Sequence, residues 1–274
     1  MKLLEGKKAA EDILKKIKKE AKEKNLKLAV VLVGGDPASL IFVKEKEKVC
    51  KRVGIGFELL KLPSEIGQGD LEKEIKGLAE REDVSGMVVQ LPLPEEINAQ
   101  EILDIIPLGK DADVLSSRSF AEFKAGGSQV VPPVVGAVDH LLKEYKIDLR
   151  NRKIVLVGAG KLVGLPLAVW LAQKNIGFSV IDKSTENPEL ISKQADVIIS
   201  GIGKPGFIKS EMVKDGAIVI DAGSSLEKGK ITGDVDFKNV SEKASFITPV
   251  PGGIGPLTVA CLLENLANLN RRNN

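Results

Sequence analysis

The sequence predicts an α/β protein made of two α/β domains. Apolar, β-branched runs alternate with amphipathic helical segments along the chain, which is typical of parallel sheets covered by helices. The length of 274 residues suits two modest domains. A glycine-rich turn follows one of the apolar runs in KIVLVGAGKLVG, and a helical pattern follows the turn. The C-terminal domain is therefore predicted to be a Rossmann-type nucleotide-binding domain.

The first half of the chain predicts three strands with intervening helices. An N-terminal helix is indicated by apolar residues at helical spacing among lysines and glutamates, namely Leu4, Ile13, Leu14 and Ile17. The predicted strands are LKLAVVLVGG, GFELLKLP and SGMVVQLPLP. The predicted helices between and after them run from about Ser39 to Gly54, through QGDLEKEIKGLAER and through AQEILDIIPLGK.

The second half shows the same alternation after a predicted boundary at RSFAEFKAGGSQVVPP, which holds a Gly pair and a Pro pair. A helix is predicted through VGAVDHLLKEY, followed by the strand and helix around the glycine turn. Further strands are predicted at DVIISGIG, AIVIDAGS and SFITPV. We expect residues 1–120 with a C-terminal helix over 257–274 to form one domain, and residues 140–256 the other.

Composition excludes several classes of function. The net charge is 40 − 38 = +2 and the pI is near 8.3, so no nucleic-acid partner is expected. No apolar run approaches a membrane span, and the N-terminus lacks a signal-peptide core, so we expect a cytoplasmic protein without a membrane partner. Two cysteines suit a reducing compartment. A single histidine argues against a His-rich metal site or a Ser-His-Asp triad, and no metal site is predicted.

The glycine turn is predicted to bind a dinucleotide. Gly158, Ala159, Gly160 and Gly164 follow a strand and open a helix, where backbone amides can approach a phosphate. Asp182 ends the next strand, 22 residues after Gly160, near the separation expected for a carboxylate that binds ribose hydroxyls. Such a carboxylate repels a 2′-phosphate, which favours NAD over NADP. Lys161 and Lys183 offer positive charge nearby that could bind a 2′-phosphate, so the sequence leaves NADP as an alternative cofactor.

Several motifs together resemble a known family. They are GGDPAS…FVKEKEKVCKRVGI, VVQLPLP, KDADVLS, GKLVGLP and SFITPVPGGIGPLTVACLLENL. Their order and spacing resemble the methylenetetrahydrofolate dehydrogenase/cyclohydrolase family over essentially the whole chain, and PVPGGIGPLT is the most specific of them. The resemblance implies a two-domain homodimer with folate in a cleft between the domains. It also implies NAD(P)-dependent oxidation of 5,10-methylenetetrahydrofolate, then hydrolysis to 10-formyltetrahydrofolate in one-carbon metabolism.

The resemblance also implies site residues. Lys46 and Gln90 match the family's lysine and glutamine, and Asp113 matches the aspartate that contacts the pterin. Phe42 lies one helical turn before Lys46, and the loop with Pro251, Gly252 and Gly253 matches the loop that lines the folate site. A lysine beside a cationic one-carbon centre needs a lowered pKa, so that it is neutral near pH 7 and can move a proton.

This chain also departs from the family pattern. Phe42 replaces the usual tyrosine, Val114 replaces a glycine, and the phosphate turn reads GAG where GRS is usual. The family usually takes NADP, and the GAG turn lacks the arginine and serine that favour NADP, so Ala159, Gly160 and Asp182 favour NAD. One hypothesis is a working, divergent dehydrogenase/cyclohydrolase with weakened hydrolysis, or a dehydrogenase alone. The other is a paralogue with a changed substrate or a non-catalytic folate- or nucleotide-binding role. Two-domain dehydrogenases such as those acting on shikimate would not need PVPGGIGPLT.

Overall fold

The computed structural model describes residues 1–271. Its internal contacts divide the chain into two compact units. The three-stranded unit contains Glu11–Pro133 and the chain from Val259 onward, and the six-stranded unit contains Met1–Ala10 and Val134–Thr258. Each unit is therefore built from two separate segments of the chain.

The elements follow one another in an α/β pattern. The strands are β1 (Lys2–Leu3), β2 (Lys27–Val33), β3 (Gly56–Leu62), β4 (Gly86–Val89), β5 (Ile154–Val157), β6 (Phe178–Ile181), β7 (Val197–Ser200), β8 (Ile218–Asp221), β9 (Ser225–Glu227), β10 (Lys230–Thr232) and β11 (Phe246–Ile247). The helices are α1 (Lys7–Lys24), α2 (Pro37–Val53), α3 (Gln68–Glu80), α4 (Ala99–Asp104), α5 (Ser117–Lys124), α6 (Pro133–Glu144), α7 (Gly164–Gln173), α8 (Pro188–Ser192), α9 (Phe237–Val240) and α10 (Ile254–Leu269).

The three-stranded unit is a parallel sheet in the order β3-β2-β4. The central strand β2 is buried almost throughout, as expected for a parallel strand between two neighbours. Helix α1 buries Ile13, Leu14, Ile17 and Ala21 at helical spacing and exposes its lysines. Side chains from α3 and α4, including Leu71, Ile75 and Ile102, pack against the sheet in one apolar core.

The six-stranded unit is a parallel sheet in the order β1-β11-β8-β7-β5-β6. Strand β5 lies between β6 and β7. The next strand in the chain, β6, is on one side of β5, and the strand after it, β7, is on the other side. Ligands of open parallel sheets bind beyond the carboxyl ends of the strands at such a reversal. The glycine turn that follows β5 is therefore at the position where a dinucleotide is expected.

The structure differs from the sequence prediction in several elements. The first ten residues lie in the six-stranded unit and not in the folate-side domain, because β1 pairs in parallel with β11. The segment interpreted as a domain boundary contains the helix α5. The short antiparallel pair β9–β10 and the helices α8 and α9 were not predicted. Over residues 1–271, no helix is long and apolar enough to cross a membrane.

Candidate active site

Lys46 lies in the buried stripe of helix α2. The helix begins after Asp36, whose Oδ2 atom accepts a hydrogen bond from the Ser39 amide at 2.8 Å. Val43 and Cys50 are buried on the inner face of α2. Lys46 lies three residues after Val43 and four residues before Cys50, so it lies on the same face of the helix. The same spacing that fills this stripe with small and apolar residues thus directs the Lys46 stem inward.

Gln90 is the first residue after strand β4 and is 9% exposed. Its Nε2 atom donates to the Leu91 carbonyl at 2.9 Å, which turns its Oε1 atom towards Lys46. The Lys46 Nζ atom donates to this oxygen at 2.7 Å. An amide oxygen accepts from an ammonium or from a neutral amine, so this contact survives a change in the protonation of Lys46.

Burial lowers the pKa of Lys46, and the negative charge of Asp113 opposes this shift. Burial also raises the pKa of Asp113 to about 6, with Lys46 opposing the rise and Asp111 adding to it. Burial therefore shifts each group towards its neutral form, and the charge on each group partly stabilises the charged form of the other. A lysine that loses its proton readily and a carboxyl that gains one near pH 6 are groups suited to proton transfer.

Cys50 lies one helical turn after Lys46 and is buried with a free thiol. Burial raises the pKa of this thiol to about 12, so it stays protonated at neutral pH. Cys50 therefore acts as a small apolar residue against the Lys46 stem. Phe42 is half-buried one turn before Lys46 on the same helix, as the spacing predicted.

The loop with Pro251, Gly252 and Gly253 belongs to the six-stranded unit and leads into α10. The N-terminal segment packs directly on it. The Gly6 amide donates to the Gly252 carbonyl at 3.0 Å, and a Cβ atom at residue 6 would lie 2.0 Å from the Gly253 carbonyl oxygen. Only glycine permits this approach, so residues preceding α1 help to define the shape of the loop.

The glycine turn brings together the end of β5 and the start of α7. Gly158 has φ +102°, and a Cβ atom on Gly164 would lie 1.9 Å from the Gly158 carbonyl oxygen. Substitution at Gly164 would force the turn apart. Gly160 instead faces open space, with no atom within 4 Å of a Cβ placed there, and Ala159 is exposed beside it.

Asp182 follows β6 and is exposed with Lys183. Its Oδ1 atom accepts from the Ser184 amide at 2.9 Å, the Ser184 hydroxyl at 2.7 Å and the Thr185 hydroxyl at 3.1 Å. The hydrogen bond from the Ser184 hydroxyl lowers the pKa of Asp182 most. The carboxylate is therefore ionised and held in place by its own turn.

Two buried acids near the carboxyl ends of the strands were missed by sequence reasoning. Asp234 accepts from the Ser200 hydroxyl and from the Ile202 and Lys204 amides, each at 2.8 Å. Asp221, at the end of β8, accepts from the Gly223 and Val235 amides. Burial raises the pKa of Asp221 to about 6. The available signal was an acid at the end of the apolar, β-branched run AIVID, which holds Asp221.

The residues at the end of β5 fit a dinucleotide. The turn leaves open space at Gly160, the N-cap residue Val163 makes no side-chain cap on α7, and the ionised Asp182 follows the adjacent strand β6. A glycine turn at a helix N-terminus suits a pyrophosphate, and a carboxylate after the second strand suits a ribose.

Comparison with known proteins agrees with both halves of this arrangement. Residues 4–113 match the catalytic domain of tetrahydrofolate dehydrogenase/cyclohydrolase, and residues 132–274 match its NAD(P)-binding domain. The chain belongs to the tetrahydrofolate dehydrogenase/cyclohydrolase family. Within this family, a bifunctional protein FolD from Hydrogenobaculum sp. is 44% identical over 269 residues, covering 97% of each protein.

Two solved structures of family members are also similar. The bifunctional enzyme FolD, a methylenetetrahydrofolate dehydrogenase/cyclohydrolase from Campylobacter jejuni, gives a TM-score of 0.93 at 39% identity over 99% of each chain. The Trypanosoma brucei methylenetetrahydrofolate dehydrogenase-cyclohydrolase, complexed with NADP and an inhibitor, gives 0.92 at 31% identity. The match covers 98% of this chain and 97% of that one.

These matches confirm several predictions. The family, the two-domain α/β class and the Rossmann-type NAD(P)-binding domain are confirmed. The dehydrogenase and cyclohydrolase activities and the use of NAD or NADP are also confirmed. The roles of the individual residues at the site stay predictions.

Proposed function

We propose that the protein oxidises 5,10-methylenetetrahydrofolate to 5,10-methenyltetrahydrofolate with NAD(P), and hydrolyses the product to 10-formyltetrahydrofolate. The observation that carries the proposal is the Lys46–Gln90 contact of 2.7 Å on a buried helix face. Burial lowers the pKa of Lys46, and its charge interacts with Asp113. A dehydrogenase/cyclohydrolase needs such an amine beside a substrate that becomes cationic.

In hydrolysis, Lys46 acts as the general base and then as the general acid. Its neutral amine accepts a proton from water as the oxygen adds to the methenyl carbon. The resulting ammonium returns that proton to N5 as the bond from carbon to N5 breaks. The hydroxyl proton leaves to solvent as the formyl C=O forms, so one proton is released in total. Gln90 holds the Lys46 nitrogen in place through both states.

In oxidation, a dinucleotide bound at the glycine turn would supply the acceptor for the hydride that leaves the methylene carbon. The chain's contribution is to avoid opposing the positive charge that develops there. A lysine with a lowered pKa adds little repulsion, and the Asp113 carboxylate supplies negative charge when ionised. We propose that Asp113 also accepts two hydrogen bonds from the pterin amino group and ring N–H, an arrangement that a carboxylate suits.

We propose further that the loop with Pro251, Gly252 and Gly253 lines the folate site. Gly158, Ala159, Gly160 and Gly164 would approach the pyrophosphate through backbone atoms, with Lys183 beside the ribose. Support comes from the open turn and from the shape imposed on the loop by the N-terminal segment.

Asp182 is proposed to select NAD over NADP. Its ionised carboxylate would accept from the ribose hydroxyls and repel a 2′-phosphate. Asp182→Ala is expected to raise the KM for NAD about tenfold, the effect of losing a hydrogen bond to a charged group, and to leave the KM for NADP unchanged or lower. Initial rates with each dinucleotide measure this.

The matched control is Asp215→Ala, which removes an exposed aspartate from the same unit, before strand β8. It should change neither KM. Equal weakening of NAD and NADP by Asp182→Ala would remove Asp182 from the ribose site.

Phe42→Tyr is expected to raise the hydrolysis rate up to about tenfold. The hydroxyl would lie one helical turn from Lys46 and could donate or accept a hydrogen bond there. Decay of methenyltetrahydrofolate absorbance measures the rate. Phe57→Tyr is the control, because Phe57 is also half-buried but lies on strand β3. An unchanged rate in Phe42→Tyr would mean that the missing hydroxyl does not limit this enzyme.

We also propose a cytoplasmic homodimer. The buried Cys50 and Cys261 are not joined in a disulfide, which suits a reducing compartment. Strand β6 ends the strand order of its sheet and exposes Val180, and an edge strand offers backbone groups with which a second copy can pair. Light scattering on the purified protein would give the mass in solution, and a monomer would contradict this part of the proposal.

The decisive experiment follows absorbance in two assays. The protein is first mixed with methylenetetrahydrofolate and NAD or NADP, then separately with methenyltetrahydrofolate alone. Reduction of a dinucleotide together with methenyl decay is the expected result. Reduction without decay would favour a dehydrogenase alone, which the loss of the hydroxyl at Phe42 makes the second candidate. No signal from folded protein would favour a changed substrate or a binding role.

A further inference from the structure

We propose that Asn265 on helix α10, together with Asp111, is a positioning residue that holds the Asp113 loop in the shape needed to bind folate. This inference rests on the proposed role of Asp113. Neither Asn265 nor Asp111 is among the residues that the sequence motifs assign to the site. Both are buried polar groups that hydrogen-bond the backbone next to Asp113, and Asn265 also bonds the backbone of Val131.

Asn265 reaches the residue before Asp113. Its side chain is 3% exposed, and its Nδ2 atom donates to the Ala112 carbonyl at 2.9 Å and to the Val131 carbonyl at 2.7 Å. Its Oδ1 atom accepts from the Val131 amide at 3.4 Å. Both N–H groups of the amide are therefore used to fix two backbone segments. Removing the donor would leave the two carbonyls without this partner, which is costly at a buried site.

Asp111 holds the other side of the loop. It is fully buried, and its Oδ2 atom accepts from the Ser116 amide at 2.9 Å and its Oδ1 atom from the Leu115 amide at 3.4 Å. These contacts close the chain on itself from residue 111 to residue 116. Asp113 lies at the centre of this closed loop, with the Asn265 contact directly before it.

The loop needs such support because of Val114. This residue has φ +58°, in the left-handed region that β-branched residues rarely adopt, and its side chain is buried. Strained residues persist where the surrounding structure over-determines them. The family's usual glycine would adopt this conformation without strain. In this chain, the contacts from Asp111 and Asn265 must also keep the strained Val114 backbone in the left-handed region.

The inference is tested with Asn265→Asp and Asn265→Ala, with Asp113→Ala measured in parallel. Asn265→Asp keeps the size of the side chain but replaces the donor with an oxygen that faces two carbonyls. We expect the KM for methylenetetrahydrofolate to rise tenfold or more in Asn265→Asp and somewhat less in Asn265→Ala. The KM for the dinucleotide should stay within twofold of wild type, since that site is in the other unit.

Asn268→Ala is the matched control. Asn268 lies on the same helix and donates to the Gln129 carbonyl at 3.3 Å, but the contact is exposed and does not reach the Asp113 loop. Its KM values should equal those of wild type. A general loss of stability would not separate the two KM values, so the split between folate and dinucleotide distinguishes positioning from simple destabilisation.

The variants separate the role of Asp113 from the positioning role of Asn265 and Asp111. Wild-type folate KM in Asp113→Ala would remove Asp113 from the site and leave this inference without its basis. A raised folate KM in Asp113→Ala with wild-type values in both Asn265 variants would overturn the inference alone, as would equal rises for folate and dinucleotide. If the Asn265 variants do not fold, Asp111→Asn is measured in the same way. Failure of all three to fold would assign both residues to the fold and overturn the proposal.

Discussion

Replacing Lys46 with methionine is expected to slow methenyltetrahydrofolate hydrolysis by about 10²- to 10⁴-fold, the usual contribution of a general acid/base. Methionine keeps an unbranched stem in the buried stripe of α2 and removes an amine whose pKa is lowered by burial. The fold should therefore survive, and the free energy of unfolding should be unchanged or higher. Methenyl absorbance measures the rate, and thermal unfolding measures the stability.

Lys48→Met provides the control for this experiment. Lys48 is on the same helix, but its side chain is 75% exposed. The Lys48→Met variant should therefore hydrolyse methenyltetrahydrofolate at the wild-type rate. Wild-type hydrolysis in Lys46→Met would show that another group moves the proton. Loss of hydrolysis in both variants would point to an effect on the helix rather than on the site.

Asp113→Asn is expected to raise the KM for methylenetetrahydrofolate about a hundredfold at pH 7.5, because it removes a charged acceptor of two hydrogen bonds. Burial raises the pKa of Asp113 to about 6. In the wild-type protein the carboxylate is thus lost as the pH falls through about 6, and the KM for folate should rise between pH 7.5 and pH 5.5. In Asp113→Asn this dependence should be absent.

The same shift has a stability consequence of definite sign. A carboxyl whose pKa is raised by folding favours the folded state below its unfolded pKa, and this contribution is lost as the pH rises through about 6. At neutral pH the ionised Asp113 therefore opposes folding, and Asp113→Asn should raise the midpoint of thermal unfolding. A lower midpoint at pH 7.5, or an unchanged pH dependence of the folate KM, would contradict the assignment.

Elements whose residues are close in sequence were predictable. Helix α2 ends at Val53 with Gly54 as its C-cap, close to the predicted end, and it begins two residues before the predicted Ser39, because Asp36 caps it. The strands β2 and β5 fall where β-branched runs predicted them. The glycine turn was also predictable, because the need for small residues between a strand and a helix is a local one.

The contacts that place Lys46 next to Gln90 could be inferred only from the motifs. The two residues are 44 positions apart, and neither periodicity nor spacing brings them together. The stripe of α2 still carried a local signal, since Lys46 occupies a position where the helix otherwise buries its side chains.

The supports of the site were not predictable from the sequence. Asn265 and the loop around Asp113 are about 150 residues apart, and the pairing of β1 with β11 joins residues that are 244 positions apart. Buried acids such as Asp234 look like exposed loop residues in a sequence, because their partners are backbone amides that the letters do not specify. Tertiary contacts of this kind depend on the assembled fold.

The pairing of β1 with β11 also bears on how the protein is made. Phe246, the neighbour of Lys2 in the sheet, is synthesised 244 residues after it. The sheet thus stays incomplete at that edge through most of translation, and contacts of such wide separation slow folding. A fragment spanning the matched region 132–274 would keep β11 exposed as an edge strand. A peptide of residues 1–10 is the natural complement for that fragment.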